Sequence, residues 1–385
     1  MSAWLRADWL PELHLDFSRE LATPLRVQGL VLLRNGAGVH VLRLRTDCGR
    51  EALYPAQERV VQVASFVQQV LAPAVQGLDL RDLPAFIERF HRQHYKMVGL
   101  PFWACVGSFE LLALELLGRA AQRPVVELLG GVKSRRRFEI YLSSRDRVTT
   151  PEEEVAMFQR RVAATGAQAI KLGIGGRMSR NADAWPGRSE ALVAHARRTL
   201  GDGITIYADA NGSFDACTAI EVGAMLRDHG VAMFEEPCPY DDFEMTAQVT
   251  AALEGIDIGW GESDHSLALF RWVCRHRAVD VLQPDLLWAG GILRTLQIAR
   301  LAEAAGLPIV PHSPRAGMEQ APVLHLLAAI PNPGRFHEFK ALEQVPRWDC
   351  DIELVPDAQG TLTLPAGPGF GTALVPASLG PLVPV

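Results

Sequence analysis

From about residue 137 onward, short apolar runs alternate with helical stretches of roughly 15 to 20 residues, and this alternation restricts the possible folds more than any other feature of the chain. Eight runs can be counted: 138–144 (FEIYLSS), 169–175 (AIKLGIG), 205–211 (TIYADAN), 232–237 (AMFEEP), 258–263 (IGWGES), 281–285 (VLQPD), 308–313 (PIVPHS) and 335–339 (RFHEF). They begin 23 to 36 residues apart, the spacing of repeated β-α units, so they predict an α/β fold whose parallel strands close into a barrel. Helices are predicted between them over 151–164, 188–200, 216–229 and 291–305, the first opened by Thr150-Pro151-Glu152, a capping residue followed by a first-turn proline.

A barrel leaves the first third of the 385 residues to a second unit. There, 29–35 and 39–46 read as a β-hairpin across a glycine-containing turn, and 57–72, 82–97 and 104–122 read as helices. The last 45 residues hold seven prolines and little helical periodicity, as expected of a strand-and-turn tail. The predicted organisation is an α+β unit over 1–130, the barrel over 131–340 and a segment 341–385 that packs back on the first unit.

Composition excludes several functions. With 48% hydrophobic and 21% charged residues the chain can bury a large core, and disorder is not expected. A net charge of −6 gives no footprint for nucleic acid, and Arg135-Arg136-Arg137 reads as a solvated turn. The six scattered cysteines form no CxxC pair, which predicts reduced thiols and a cytoplasmic protein. The N-terminus is interrupted by Arg6, Asp8 and Glu12, so no signal peptide is expected, and no membrane span either. Gly173, Gly175 and Gly176 do not form the GxGxxG turn of a nicotinamide site.

Seven of the eight runs end in an ionisable residue: Lys171, Asp209, Glu235, Glu262, Asp285, His312 and Glu338. In a parallel barrel these ends converge on one mouth. Asp209, Glu235 and Glu262 lie 26 and 27 residues apart on consecutive strands, and three facing carboxylates repel unless a cation sits between them. All-oxygen ligands with no cysteine nearby favour a hard divalent ion such as Mg²⁺. Asp285 and His312 end adjacent strands, where a carboxylate fixes the imidazole tautomer and raises its basicity, making a general base. Lys171 is available as acid, base or electrostatic partner. Glu338 could donate a hydrogen bond to an oxyanion if its pKa is raised, or pair with Lys171 or Lys340. Together these parts suit removal of the proton next to a carboxylate, with Mg²⁺ offsetting the charge that develops.

The segments YADAN (207–211), FEEP (234–237), GES (261–263), QPD (283–285), PHS (311–313) and HEF (337–339), with ACVGSFELLALELLGRAAQRPVVELLGG (104–131), resemble the enolase superfamily, and within it the mandelate racemase group. The resemblance covers most of the chain. It implies a modified TIM barrel, (β/α)7β, with an α+β N-terminal capping domain completed by the C-terminal tail. It also implies Asp209, Glu235 and Glu262 as Mg²⁺ ligands, His312 and Asp285 as the basic dyad, Glu338 as a hydrogen-bonding acid, and a homo-oligomer. One departure alters the expected reaction. Members with a second base carry K-x-K at the end of the second strand, whereas this chain has Lys171-Leu172-Gly173. Dehydration of an acid sugar led by His312 is therefore expected ahead of racemisation, epimerisation or cycloisomerisation, which need a facing acid from Lys171, Arg177 or a capping loop. A catalytically silent scaffold is the reading from another class. Specificity is expected in residues 16–26 and 50–58 and in loops holding Arg177, Asn181, Trp185, Trp288 and Arg315.

Overall fold

A computed structural model describes residues 10–131, 135–144, 147–340 and 348–385. The expectation resting on Arg6 and Asp8, and the start of the segment at 341, fall outside those residues.

The N-terminal unit is built on an antiparallel sheet. Strands β1 (Val27–Asn35) and β2 (His40–Thr46) pair as the predicted hairpin, with Leu30 opposite Leu44 and Leu32 opposite Leu42. The turn is fixed by the Asn35 side chain, whose Oδ1 accepts from the N–H of Ala37 and Val39. A third strand, β3 (Glu51–Pro55), extends the sheet. The sequence reading missed it because five residues are too few to show a period.

The helix expected over 57–72 is broken into Glu58–Gln62, Ala64–Phe66, a π-turn at Val67–Leu71 and Ala72–Val75. Pro73 lacks the N–H that continues a regular ladder, and the wider turn before it absorbs the mismatch. Helix Leu83–Gln93 follows, and then helix Leu100–Ala121, the spine of the unit. By length and composition alone Leu100–Ala121 is apolar enough to cross a membrane, yet 89% of its most apolar window is buried inside the fold, as in a core helix.

The barrel runs through β4 (Arg137–Ser143), β5 (Ala169–Gly173), β6 (Thr205–Asp209), β7 (Val231–Glu235), β8 (Asp257–Trp260) and β9 (Val281–Leu282). Segment 308–313 bridges to its neighbours only at single pairs, Leu282 with Ile309, Asp285 with His312 and Ile309 with Pro333. Pro284 and Pro311 bring no N–H to a ladder there. Strand β10 (Phe336–Phe339) then pairs in parallel with β4 and closes the ring. Among the described residues, seven helices fill the crossovers: Pro151–Thr165, Arg188–Leu200, Ala216–Asp228, Phe243–Ala252, Leu267–His276, Ile292–Ala305 and Ala321–Ala329. The fold is therefore a (β/α)7β barrel with an antiparallel capping domain. Thr150 and Glu153 form the reciprocal capping box that starts the first crossover helix.

Tyr141, Ala169, Met233, Val281, Val310 and Phe336 form an apolar layer inside the barrel, a packed floor under the strand ends. Two short strands of the tail attach to different bodies. Strand β11 (Thr361–Thr363) pairs antiparallel with β4, and β12 (Leu382–Pro384) adds to the edge of β1.

Candidate active site

Strand register places the carboxylates. Gly173, Asp209, Glu235 and Gly259 are successive partners across β5 to β8, so Asp209 and Glu235 stand side by side at one level of the mouth. Glu262 lies beyond the end of β8. Gly261 turns the chain there at φ +130, in a backbone region closed to other residues, where a Cβ would also come within 3.0 Å of Phe270. Among the described residues, Asp209, Glu235 and Glu262 are the one group whose potential metal-ligating atoms converge, all within 4.8 Å of one another.

The surroundings fix each of them. Asp209 accepts from the Asn211 backbone N–H at 2.8 Å and from its side-chain amide at 3.1 Å. Glu235 is fully buried; Lys171 Nζ lies 2.5 Å from its Oε1, and Gln283 Nε2 donates to its Oε2 at 2.5 Å. Glu262 Oε2 is buried with no hydrogen bond. Burial pushes Glu262 well above the usual carboxylate range, and Glu236, Asp209 and Glu235 push it further. Burial and the same neighbours, Asp209 and Glu235, push Glu236 up to about 8. The site therefore concentrates negative charge that protein cations only partly offset. An all-oxygen, convergent donor set fits a hard divalent cation, and Glu262 Oε2, buried and without a hydrogen bond, is available to it.

On the other side of the mouth, His312 Nδ1 is 3.0 Å from Asp285 Oδ2. Asp285 also accepts from the N–H groups of Leu287 and Trp288 at 2.8 and 3.1 Å, and from Arg315 Nη2 at 3.2 Å. Burial alone would raise the Asp285 pKa, but Arg315, His312 and these N–H groups together hold it well below the usual range. An ionised Asp285 assigns the imidazole proton to Nδ1 and leaves Nε2 with its lone pair. That nitrogen faces the carboxylate cluster, 3.2 Å from Glu262 Oε2. The indole of Trp288 lies beside it, ring centres 5.8 Å apart.

Lys171 sits below the cluster. Its Nζ lies 3.7 Å from Asp209 Oδ2 and 3.7 Å from Glu338 Oε1 in addition to its contact with Glu235, and 5.5 Å over the Tyr141 ring. Burial disfavours its charge, but Glu235 and Glu338 outweigh it and keep the ammonium protonated. Of the three roles open to Lys171 in the sequence, these contacts support the electrostatic one and oppose that of a free base.

Of the two roles open to Glu338, the structure supports the partner of Lys171, whose Nζ lies 3.7 Å from Glu338 Oε1. Burial would raise its pKa, yet Lys171, His312, the Ser143 side chain and the Ser313 N–H at 2.8 Å hold it at about 2. With these partners it accepts hydrogen bonds as a carboxylate. Arg315 is corrected: read as a candidate for the substrate-binding loops, it is buried against Asp285.

Several supporting residues escaped the sequence reading. Gln283 was legible in principle, two residues before Asp285 and so on the same face. Arg147 was not: its guanidinium donates to the carbonyls of Ile174, Gly175 and Asp209 and to the Asn211 side chain, tying together the ends of β5 and β6. Among the loop candidates, Arg177 and Asn181 have positive φ, and their backbone N–H groups bond to Ser213. Trp185 packs against the Arg188 guanidinium. In the capping unit, Phe17 and Tyr54 are buried.

Residues 153–378 match the family described as Enolase C-terminal domain-like. An arabinonate dehydratase of Saccharolobus solfataricus is 30% identical over 286 residues, 74% of this chain and 71% of that protein. A D-galactarolactone cycloisomerase of Agrobacterium fabrum is 30% identical over 233 residues, 59% of this chain and 58% of that protein. The crystal structure of a mandelate racemase/muconate lactonizing protein from Paracoccus denitrificans, complexed with magnesium, has a TM-score of 0.86 at 24% identity, covering 94% of this chain and 99% of that one.

Proposed function

Because the chain belongs to the enolase superfamily, in its mandelate racemase/muconate lactonizing enzyme group, we propose that it removes the proton α to a carboxylate and dehydrates an acid sugar to a 2-keto-3-deoxy acid. Asp209, Glu235 and Glu262 would hold a Mg²⁺ ion. When bound, that ion supplies positive charge to the substrate carboxylate and to the dianion left by proton loss.

The protein's own groups do the rest. His312 Nε2 accepts the α-proton, and the resulting imidazolium is stabilised by ionised Asp285 at Nδ1 and by Glu338, whose Oε2 lies 4.0 Å from Nε2. The electron pair of the broken C–H bond moves into the carboxylate to give the enediolate dianion, and then returns to form the C2–C3 double bond as the C3 hydroxyl leaves. The imidazolium returns its proton to that hydroxyl, so water departs and the base is restored. The enol product tautomerises to the 2-keto acid. Lys171, fixed beneath the cluster, balances its charge, and Glu338 orients the Ser313 backbone beside the base.

The observation that carries this reading is one-sidedness: a basic His312 backed by Asp285 faces the carboxylate cluster, while opposite it Lys171 is consumed in ion pairs and Gly173 has no side chain. The D-galactarolactone cycloisomerase relative supports the second reading, cycloisomerisation of a related lactone. A panel of acid sugars incubated with the protein and Mg²⁺ in D₂O separates them. A 2-keto-3-deoxy product is expected. Deuterium at the α-carbon of recovered acid without any keto product, or an isomerised lactone, would sink the dehydratase assignment.

A further inference from the structure

Helix Ile292–Ala305 follows the loop that carries Asp285, and its N-terminus lacks a cap of its own. The N-cap residue is Gly291, which has no side chain to accept from the first N–H groups. The acceptor arrives from the N-terminal unit: Glu110, fully buried in helix Leu100–Ala121, takes the Leu293 N–H on Oε1 at 3.1 Å. Its carboxylate occupies the space a side chain at residue 291 would need, since a Cβ there would lie 2.5 Å from the Glu110 carboxylate. Gly107, one turn earlier, also packs against this loop; a Cβ on it would meet Gly291 N and Leu287 O at 3.0 Å. Arg294 stacks 3.7 Å over Trp103 of the same helix.

This contact continues into the site through a few bonds. The Gly291 N–H bonds to Leu286 O at 2.8 Å, the Ala289 N–H to Asp285 O at 2.8 Å, and the Leu287 and Trp288 N–H groups to the Asp285 carboxylate. Asp285 in turn orients His312.

We propose that Glu110 is a positioning residue for the Asp285–His312 pair: it caps, from the other domain, the helix whose leading loop aims Asp285. The proposal rests on the reading of His312 as the base. Burial pushes Glu110 up to about 8 despite the Leu293 and Ile292 N–H groups, and its Oε2 has no partner. A structural filler at this place would be apolar; a buried carboxyl is kept where its acceptor is needed.

The test compares Glu110→Leu, Glu110→Asp and Glu110→Gln in the full chain with Mg²⁺ present. Leucine removes the acceptor, aspartate withdraws it by one bond, and glutamine retains it. Amide exchange read by mass spectrometry should speed up at least tenfold over 285–293 in Glu110→Leu and stay unchanged over 205–211. With the acid found as substrate, kcat should fall at least tenfold with KM within twofold, and Glu110→Gln should restore both readouts. Unchanged exchange, faster exchange with unchanged kcat, or a Glu110→Gln protein as impaired as Glu110→Leu would each overturn the proposal. If Glu110→Leu does not fold, Glu110→Asp carries the same comparison. If the wild type turns over no acid, it is the proposed function that fails; the ¹⁵N-histidine signal of the Asp285-bound Nδ1–H then decides, its loss in Glu110→Leu supporting the positioning role and its persistence refuting it.

Discussion

Lys171 Nζ lies 2.5 Å from Glu235 Oε1, both side chains out of contact with solvent, and the same ammonium reaches Asp209 and Glu338. Removing it leaves buried carboxylates uncompensated, which costs about 3–5 kcal/mol for one broken buried pair. Lys171→Met is therefore expected to lose that much in urea unfolding without Mg²⁺ and to recover part of it when the ion is added. A loss under about 1 kcal/mol would refute the charge-balancing role.

His312→Asn keeps a hydrogen bond to Asp285 but has no basic nitrogen. Turnover and solvent exchange of the α-proton are expected to fall by about 10³-fold or more, with calorimetric Mg²⁺ binding unchanged. A variant that still turns over would remove His312 from its assigned role.

A cation held as proposed by Asp209, Glu235 and Glu262 would stabilise the folded state by mass action, by about 2.7 kcal/mol at a hundred times its Kd. Adding MgCl₂ should raise the denaturation midpoint of the wild type, and that rise should vanish in Glu262→Gln. Equal shifts in both proteins would place the ion elsewhere.

Arg315 is the first of the groups that hold Asp285 ionised against its burial. With Arg315→Met the Asp285 pKa rises and its grip on the His312 proton weakens, so kcat should drop about tenfold or more while Mg²⁺ affinity stays the same. Loss of Mg²⁺ binding instead would mean that the residue supports the metal side of the mouth.

His325 is buried between the Val126 N–H, which donates to its Nδ1 at 3.0 Å, and the Phe370 carbonyl, 3.2 Å from its Nε2. Burial lowers its pKa from the ordinary 6.5 to about 4, an effect that the Phe370 bond opposes in part. Between those values the unfolded chain binds the extra proton, so stability rises with pH; it is fully present above 6.5 and lost as pH falls towards 4, about 3 kcal/mol in all. His325→Asn should flatten the stability profile in that window. An unchanged slope would assign it to other groups.

The barrel was legible because its period is coarse: eight apolar runs and their spacing survive small errors at each boundary. The convergence of Asp209, Glu235 and Glu262 followed from the same count. Depth and partnership did not. Whether Lys171 lies level with the carboxylates or beneath them is decided by ladder register, in which Lys171 pairs with Tyr207 and Gly173 with Asp209. The ionisation of Glu338 depends on Lys171, His312 and the Ser313 N–H, which meet it only when the ring closes. Arg315 read as a loop residue because its partner Asp285 is 30 residues away. Strand β3 and the broken helix after it were lost to short length and to Pro73.

The edge of the N-terminal sheet is completed by β12, with Asn35 opposite Leu382 and Leu33 opposite Pro384, while β11 lies on the first barrel strand. During synthesis, β1 therefore waits for more than three hundred residues before its outer neighbour exists. Pairing across such sequence separation is slow and gains nothing until late. The capping sheet and the barrel are consequently expected to reach their final stability together, after residue 384 has left the ribosome, so a nascent chain carries an open strand edge that is vulnerable to aggregation throughout its elongation.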